Sequence, residues 1–112
     1  MAPAWLARND AAALDAFVRN VREALGPRLL AIKLFGSKAR GVSGPESDID
    51  VLVVAAGADF ALEQQVIDLA FDVNLAHDVY ISPRVLPPEV LANPVWRETA
   101  FVRALQAEGV SL

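Results

Sequence analysis

Leu34-Phe35-Gly36-Ser37-Lys38-Ala39-Arg40-Gly41, followed by Ser47-Asp48-Ile49-Asp50-Val51, is the stretch on which the reading of this 112-residue chain turns. Leu29 to Phe35 is a nearly continuous apolar run broken only by Lys33, and its length and the glycine after it predict a buried strand. That strand runs into Gly36, where no Cβ blocks the approach of a ligand to the backbone. Ser37 to Arg40 then reads as the opening turn of a short helix ended by Gly41. The first N–H groups of a helix lack intrahelical partners and lie at its positive pole, an arrangement that favours phosphate. The Ser37 hydroxyl adds a donor, and Lys38 and Arg40 add charge. Together these residues describe a cradle for a triphosphate.

The second half of the stretch supplies carboxylates. Ile49 to Val54 is β-branched or Leu apart from Asp50, which predicts a second strand. Asp48 and Asp50 are two apart at its start, so both carboxylates project from one face while Ile49 and Val51 point into the core. Two carboxylates so close repel each other, and a cation between them relieves the repulsion. Mg²⁺ takes hard oxygen ligands, commonly one or two carboxylates plus substrate phosphates. In two-metal sites, ions roughly 3.5–4 Å apart stabilise the attacking and leaving oxygens together. Taken alone, an Asp-x-Asp is more often a solvated turn, and a Gly-Ser after a strand more often still. Gly-Ser, ten intervening residues, then Asp-x-Asp on the next strand is a far rarer coincidence.

Working outward, Leu14, Phe17, Val18, Val21 and Leu25 recur at helical spacing, predicting a helix from about Asp10 to Leu25 that Gly26-Pro27 ends. Val42 to Glu46 is a Gly- and Pro-containing loop. Gly57 and Asp59 precede a second long helix reaching about Leu75, with Leu62, Val66, Ile67, Ala70 and Phe71 on one side. Val79 to Ile81 reads as a third strand closed by Pro83, and Pro87-Pro88 forces another break. A last helix is expected from Pro94, capped by Asn93, to near Gly109. The order α-β-α-β-α-β-α predicts an α/β (α+β) fold: one small domain over residues 1–112, with a three- to four-stranded mixed sheet and helices packed on it. Leu52 and Val54 continue the face that carries the two aspartates, so that face must be covered by this chain's own helices or by another subunit.

Composition narrows the function classes. The chain is 54% apolar, enough for a real core, and has no cysteine, which excludes disulfides and thiolate metal sites. No apolar run approaches the ~20 residues of a membrane span, and the N-terminus lacks the features of a signal peptide, so the expected compartment is cytoplasmic with no membrane partner. A net charge of −4 argues against gripping duplex nucleic acid. A small anion held by local cations and backbone amides is compatible with that charge.

The residues from Gly36 to Asp50 resemble the signature of the DNA polymerase beta-like nucleotidyltransferase superfamily, in its shortest form, the minimal nucleotidyltransferase domain. The likeness in helix and strand order, and in the closing Glu108-Gly109-Val110, extends over most of the chain. The resemblance implies a polymerase beta-like fold and a Mg²⁺-dependent enzyme, with two ions and with ATP or another nucleoside triphosphate as substrate. Gly36 and Ser37 would bind the β- and γ-phosphates, assisted by Lys38 or Arg40. Asp48 and Asp50 would be catalytic and hold the metal. The family pattern often adds a third carboxylate on the next strand, and Asp78 is the candidate for that catalytic and metal-binding role. The competing reading of Asp78 is a solvent-facing strand-entry residue, because Tyr80 stands near where the acid is expected. Minimal members resemble the antitoxin half of two-gene systems whose partner is an all-helical HEPN-type protein, which implies AMP transfer to a hydroxyl of that partner. Homo-oligomerisation, transfer to a small molecule, and a catalytically degenerate binding subunit that neutralises a partner by complex formation remain as alternatives.

Other residues invite a role and have a plainer explanation. His77 is the only histidine and is more often a packing residue beside a strand than a base. Trp5 and Trp96 suit either a partner surface or packing. Arg97 and Arg103, and Asp68 and Asp72, read as solvated charge.

Overall fold

Leu14, Phe17, Val18, Val21 and Leu25 fall on the buried side of the first helix, α1 (Arg8–Leu25). Gly26 closes it with a positive φ of +55°, and a 3₁₀ turn through Pro27 delivers the chain to strand β1 (Leu29–Phe35). The computed structural model describes residues 2–41 and 48–112; the expected loop Val42 to Glu46, and Ser47 after it, lie outside the described residues. The next elements are the single turn α2 (Ser37–Arg40), strand β2 (Ile49–Ala55) and the long helix α3 (Phe60–His77). Asp59 caps α3, its carboxylate accepting from Leu62 N–H at 2.9 Å.

The sheet has four strands in the order β3-β2-β1-β4, with β3 (Ile81–Leu86) and β4 (Val110–Ser111) at its edges. β1 pairs antiparallel with β2 and β4, while β2 and β3 run parallel, which requires a crossover such as α3. α1 and α3 cover one face. Phe17, Leu14 and Val21 of α1 and Leu62 and Val66 of α3 join Leu34, Ile49, Val51 and Val53 of the sheet in the main core. On the opposite face Leu52 and Val54 are buried under Ala31, Phe35, Leu86 and Leu91, the last from α4 (Pro88–Ala92). This chain's own residues therefore cover the face beyond the aspartates.

Three expectations need correction. The third strand begins at Ile81 and runs through Pro83, not from Val79 to a stop at Pro83. Asn74 sets its start: its backbone carbonyl accepts from Asp78 N–H and Val79 N–H, and its side-chain amide exchanges two hydrogen bonds with the backbone of Ile81, at 2.8 and 3.1 Å. Pro83 is tolerated because β3 is an edge strand, where a missing donor need not break a ladder. On α3 the buried stripe is Leu62, Val66, Ala70 and Val73, whereas Ile67 and Phe71 are exposed. Lastly, the C-terminal helix is split. Asn93 does cap at Pro94, accepting from Val95 N–H, but α5 (Pro94–Arg97) stops and α6 (Ala100–Glu108) starts afresh. The Thr99 hydroxyl makes the break, donating to Trp96 O at 2.6 Å and accepting from Val102 N–H at 3.3 Å.

Candidate active site

Asp50 is the second residue of β2, between Ile49 and Val51, which are buried in the main core. Alternation therefore sends its carboxylate to the opposite face, in line with Leu52 and Val54. Across the antiparallel pair it stands opposite Phe35, beside Gly36. Asp50 Oδ2 lies 2.5 Å from the point where a Cβ on Gly36 would sit, and Gly36 itself has φ +74°. Two separate constraints, backbone conformation and space, thus require glycine here. The carboxylate and the turn are in contact, which is the condition for one cation to bridge carboxylate and nucleotide.

Asp48, exposed just before the strand, is near enough to act on its neighbour. Burial holds the Asp50 carboxyl above the ordinary carboxylate range, the Asp48 charge pushes it the same way, and the Arg84 guanidinium opposes both. Arg84 was not singled out from the sequence. It reaches this face because Leu52 pairs with Arg84 across the parallel register, as Asp50 pairs with Ser82. The signal was present only in the period of two along Ser82-Pro83-Arg84, which becomes readable once the strand is known to begin at Ile81.

The glycine-serine turn closes on itself, Ala39 N–H donating to Gly36 O at 3.1 Å and Gly41 N–H to Lys38 O at 3.3 Å. α2 is a single turn of four residues, so a helix macrodipole contributes far less than expected and the turn's backbone geometry matters more. Lys38 departs from its expected role. Its ammonium is turned inward to Asp10 of α1, at 2.8 Å from Oδ2, with both residues buried. So enclosed, the ammonium anchors the turn to α1 through Asp10. The side chains of Ser37 and Arg40 lie outside the described part of the structure.

Asp78 also departs from its expected role. It ends α3 in the left-handed conformation, φ 55° and ψ 52°, and is exposed, three residues before β3 begins. Asp tolerates that conformation better than most residues, which accounts for its presence there. Among the described residues no three His, Cys, Asp or Glu side chains come together, so Asp78 does not join Asp48 and Asp50. Ser82 and Tyr80, not an acid, extend the site face along this side, and Tyr80 O accepts from Ile49 N–H at 2.8 Å.

The remaining candidates resolve simply. Trp5 packs on the turn, its indole N–H donating to Lys38 O at 2.7 Å. His77 ends α3, and its backbone carbonyl accepts from the Asn9 side chain. Arg103 forms an exposed ion pair with Glu98, and Asp68 accepts from Gln64 on the outside of α3. No helix among the described residues is long and apolar enough to cross a membrane.

Two hard carboxylates, one of them pushed toward protonation by burial and its neighbour, form a donor pair that suits Mg²⁺, which draws its other ligands from phosphates and water. Comparison with known proteins identifies the family. Residues 14–90 match the family model described as "Nucleotidyltransferase domain". A Methanocaldococcus jannaschii relative named "Putative protein adenylyltransferase" is 35% identical over 102 residues, covering 90% of this chain and 95% of that protein. A second, of the same name and organism, is 30% identical over 97 residues, covering 86% and 91%. Among solved structures, a toxin–antitoxin complex with AMP-PNP superposes with a TM-score of 0.54 at 22% identity, covering 94% of this chain and 72% of that one. A complex of a tri-AMPylated Shewanella oneidensis HEPN toxin with its MNT antitoxin gives 0.52 at 21%, covering 92% and 70%. At such identities the structures speak for the fold alone, whereas the family match spans the whole stretch that builds the carboxylate pair and its turn. The chain belongs to the nucleotidyltransferase domain family and is a nucleotidyltransferase.

Proposed function

We propose that this protein binds ATP with Mg²⁺ and transfers AMP to a hydroxyl group of an all-helical, HEPN-type partner protein. The observation that carries the reading is the contact between the Asp50 carboxylate and Gly36, with Asp48 alongside. Asp48 and Asp50 hold the metal, and the Gly36-Ser37 turn receives the β- and γ-phosphates. Arg40, next along the turn, is the remaining candidate for assisting them. Mg²⁺, when bound, neutralises phosphate charge and orients the triphosphate. The acceptor hydroxyl gives up its proton to solvent, its oxygen bonds to the α-phosphorus, and the bond from that phosphorus to the β-phosphate oxygen breaks as pyrophosphate leaves. Little covalent work falls to the protein in such chemistry, which depends on positioning and electrostatics.

The choice of a protein acceptor is supported by the names of the relatives, protein adenylyltransferases, and by the AMPylated toxin in one structural neighbour. The decisive experiment is co-expression with the product of the adjacent gene, followed by intact-mass measurement. The partner should gain one or more AMP units, and should gain none when Asp48→Ala and Asp50→Ala are combined.

One observation favours a second reading, a subunit that neutralises a partner by binding alone: no third acid joins the pair among the described residues. In that case the doubly substituted variant still neutralises its partner, and no mass shift occurs with the wild type.

A further inference from the structure

Asp10 and Lys38 are the two charged residues buried within the described part of the chain, and Lys38 belongs to the turn on which nucleotide binding is read. We propose that Asp10, Lys38 and Trp5 form a brace that fixes the position of the Gly36–Arg40 turn and thereby sets the affinity for nucleoside triphosphate. The proposal rests on the reading of that turn as phosphate-binding.

A single helical turn cannot hold its own shape, because nucleating it orders several residues for very few hydrogen bonds. Its rigidity has to come from tertiary contacts, and two of these reach it from the N-terminal segment. From the interior, Asp10 Oδ2 accepts from the Lys38 ammonium at 2.8 Å. On the outer side, Trp5 Nε1–H donates to Lys38 O at 2.7 Å, and the indole lies over Gly41, with Trp5 Cδ1 3.4 Å from the point where a Cβ would sit. One residue is therefore gripped at both its side chain and its carbonyl. The segment that grips it is itself fastened, Ala2 N–H donating to Asp15 and Leu6 N–H to Pro3 O. A phosphate site held in its binding geometry before the ligand arrives avoids the ordering cost of binding. Neither contact touches the carboxylate pair, so the brace acts on nucleotide binding and leaves the chemical step alone.

The test uses the full chain, AMP-PNP with Mg²⁺, and titration calorimetry. Trp5→Phe keeps a ring over Gly41 and removes the indole N–H. It should weaken binding about fivefold, the equivalent of one ordinary hydrogen bond, and lower the melting temperature by no more than about 8 °C. In the transfer reaction the same variant should raise KM and leave kcat within about twofold of the wild type. Asp10→Leu combined with Lys38→Met replaces the ion pair by apolar groups, a change that often preserves stability. This variant should bind at least about tenfold more weakly while melting like the wild type; if it does not fold, Trp5→Phe decides. A wild type that binds triphosphate, with variants that bind it equally well, overturns the brace alone. A wild type that binds no triphosphate overturns the phosphate reading and the brace with it.

Discussion

The carboxylate of Asp50 occupies the space that a side chain on Gly36 would need, with Oδ2 2.5 Å from the missing Cβ position. The close approach of the glycine-serine turn to this carboxylate is thus secured by the absence of one methyl group. Gly36→Ala has to displace Asp50 and also adopt φ +74°, a strain of about 1–3 kcal/mol for a residue with a side chain. The variant should melt several degrees below the wild type and lose at least about tenfold in affinity for AMP-PNP with Mg²⁺. Calorimetry and thermal melts on the same preparation check both effects.

Asp50 makes a pH prediction with a definite sign. Its folded-state pKa is raised above the ordinary value of 3.8, chiefly by burial, so the folded protein binds more protons than the unfolded one as pH rises through that range. Ionised Asp50 consequently costs stability at neutral pH, and the cost vanishes when the pH falls below 3.8. Asp50→Asn should therefore melt higher than the metal-free wild type at pH 7, and the difference should shrink toward zero in acid. Addition of Mg²⁺ at pH 7 should raise the melting temperature of the wild type and not that of the variant. A wild type that melts higher than the variant at pH 7 without metal contradicts the argument.

Asp78 and Asp50 should behave differently. Asp78→Asn preserves a residue type that tolerates the left-handed helix end, and Asp78 stands apart from the carboxylate pair. Transfer activity should stay within about twofold of the wild type, whereas Asp50→Asn should lose about 10³-fold or more, in keeping with the loss of a group that stabilises the transition state. Comparable losses in the two variants would restore Asp78 to the catalytic set.

Breaking the buried pair on one side should be costly. Lys38→Met leaves Asp10 charged and enclosed, and removal of one partner of a buried ion pair typically costs about 3–5 kcal/mol. Denaturant unfolding should register a loss of that order. Arg103→Ala, which breaks an exposed pair with Glu98, should change stability by less than about 1 kcal/mol.

Local chemistry made much of this molecule legible. Leu14, Phe17, Val18, Val21 and Leu25 at helical spacing announce α1, and the apolar run into Gly36 announces β1 with the bounds it has. Asn93 caps at Pro94 as expected, and the helix expected after Asp59 begins at Phe60. The turn after β1 and the carboxylate two residues into the next strand were readable because alternation along a strand assigns each residue a face. These features depend on neighbours a few positions apart, which any stretch of sequence contains. What only the tertiary structure decided depends on contacts between distant segments. Lys38 resembles a phosphate ligand until Asp10, twenty-eight positions away, is found to hold it inside. Asp78 resembles a strand residue until Asn74 is found to start the strand at Ile81. Arg84 acquires meaning only through the parallel register that sets it opposite Leu52. In each case burial or pairing with a remote partner outweighs local preference, because the free energy of enclosing a charge or completing a backbone ladder exceeds that of any single residue's propensity.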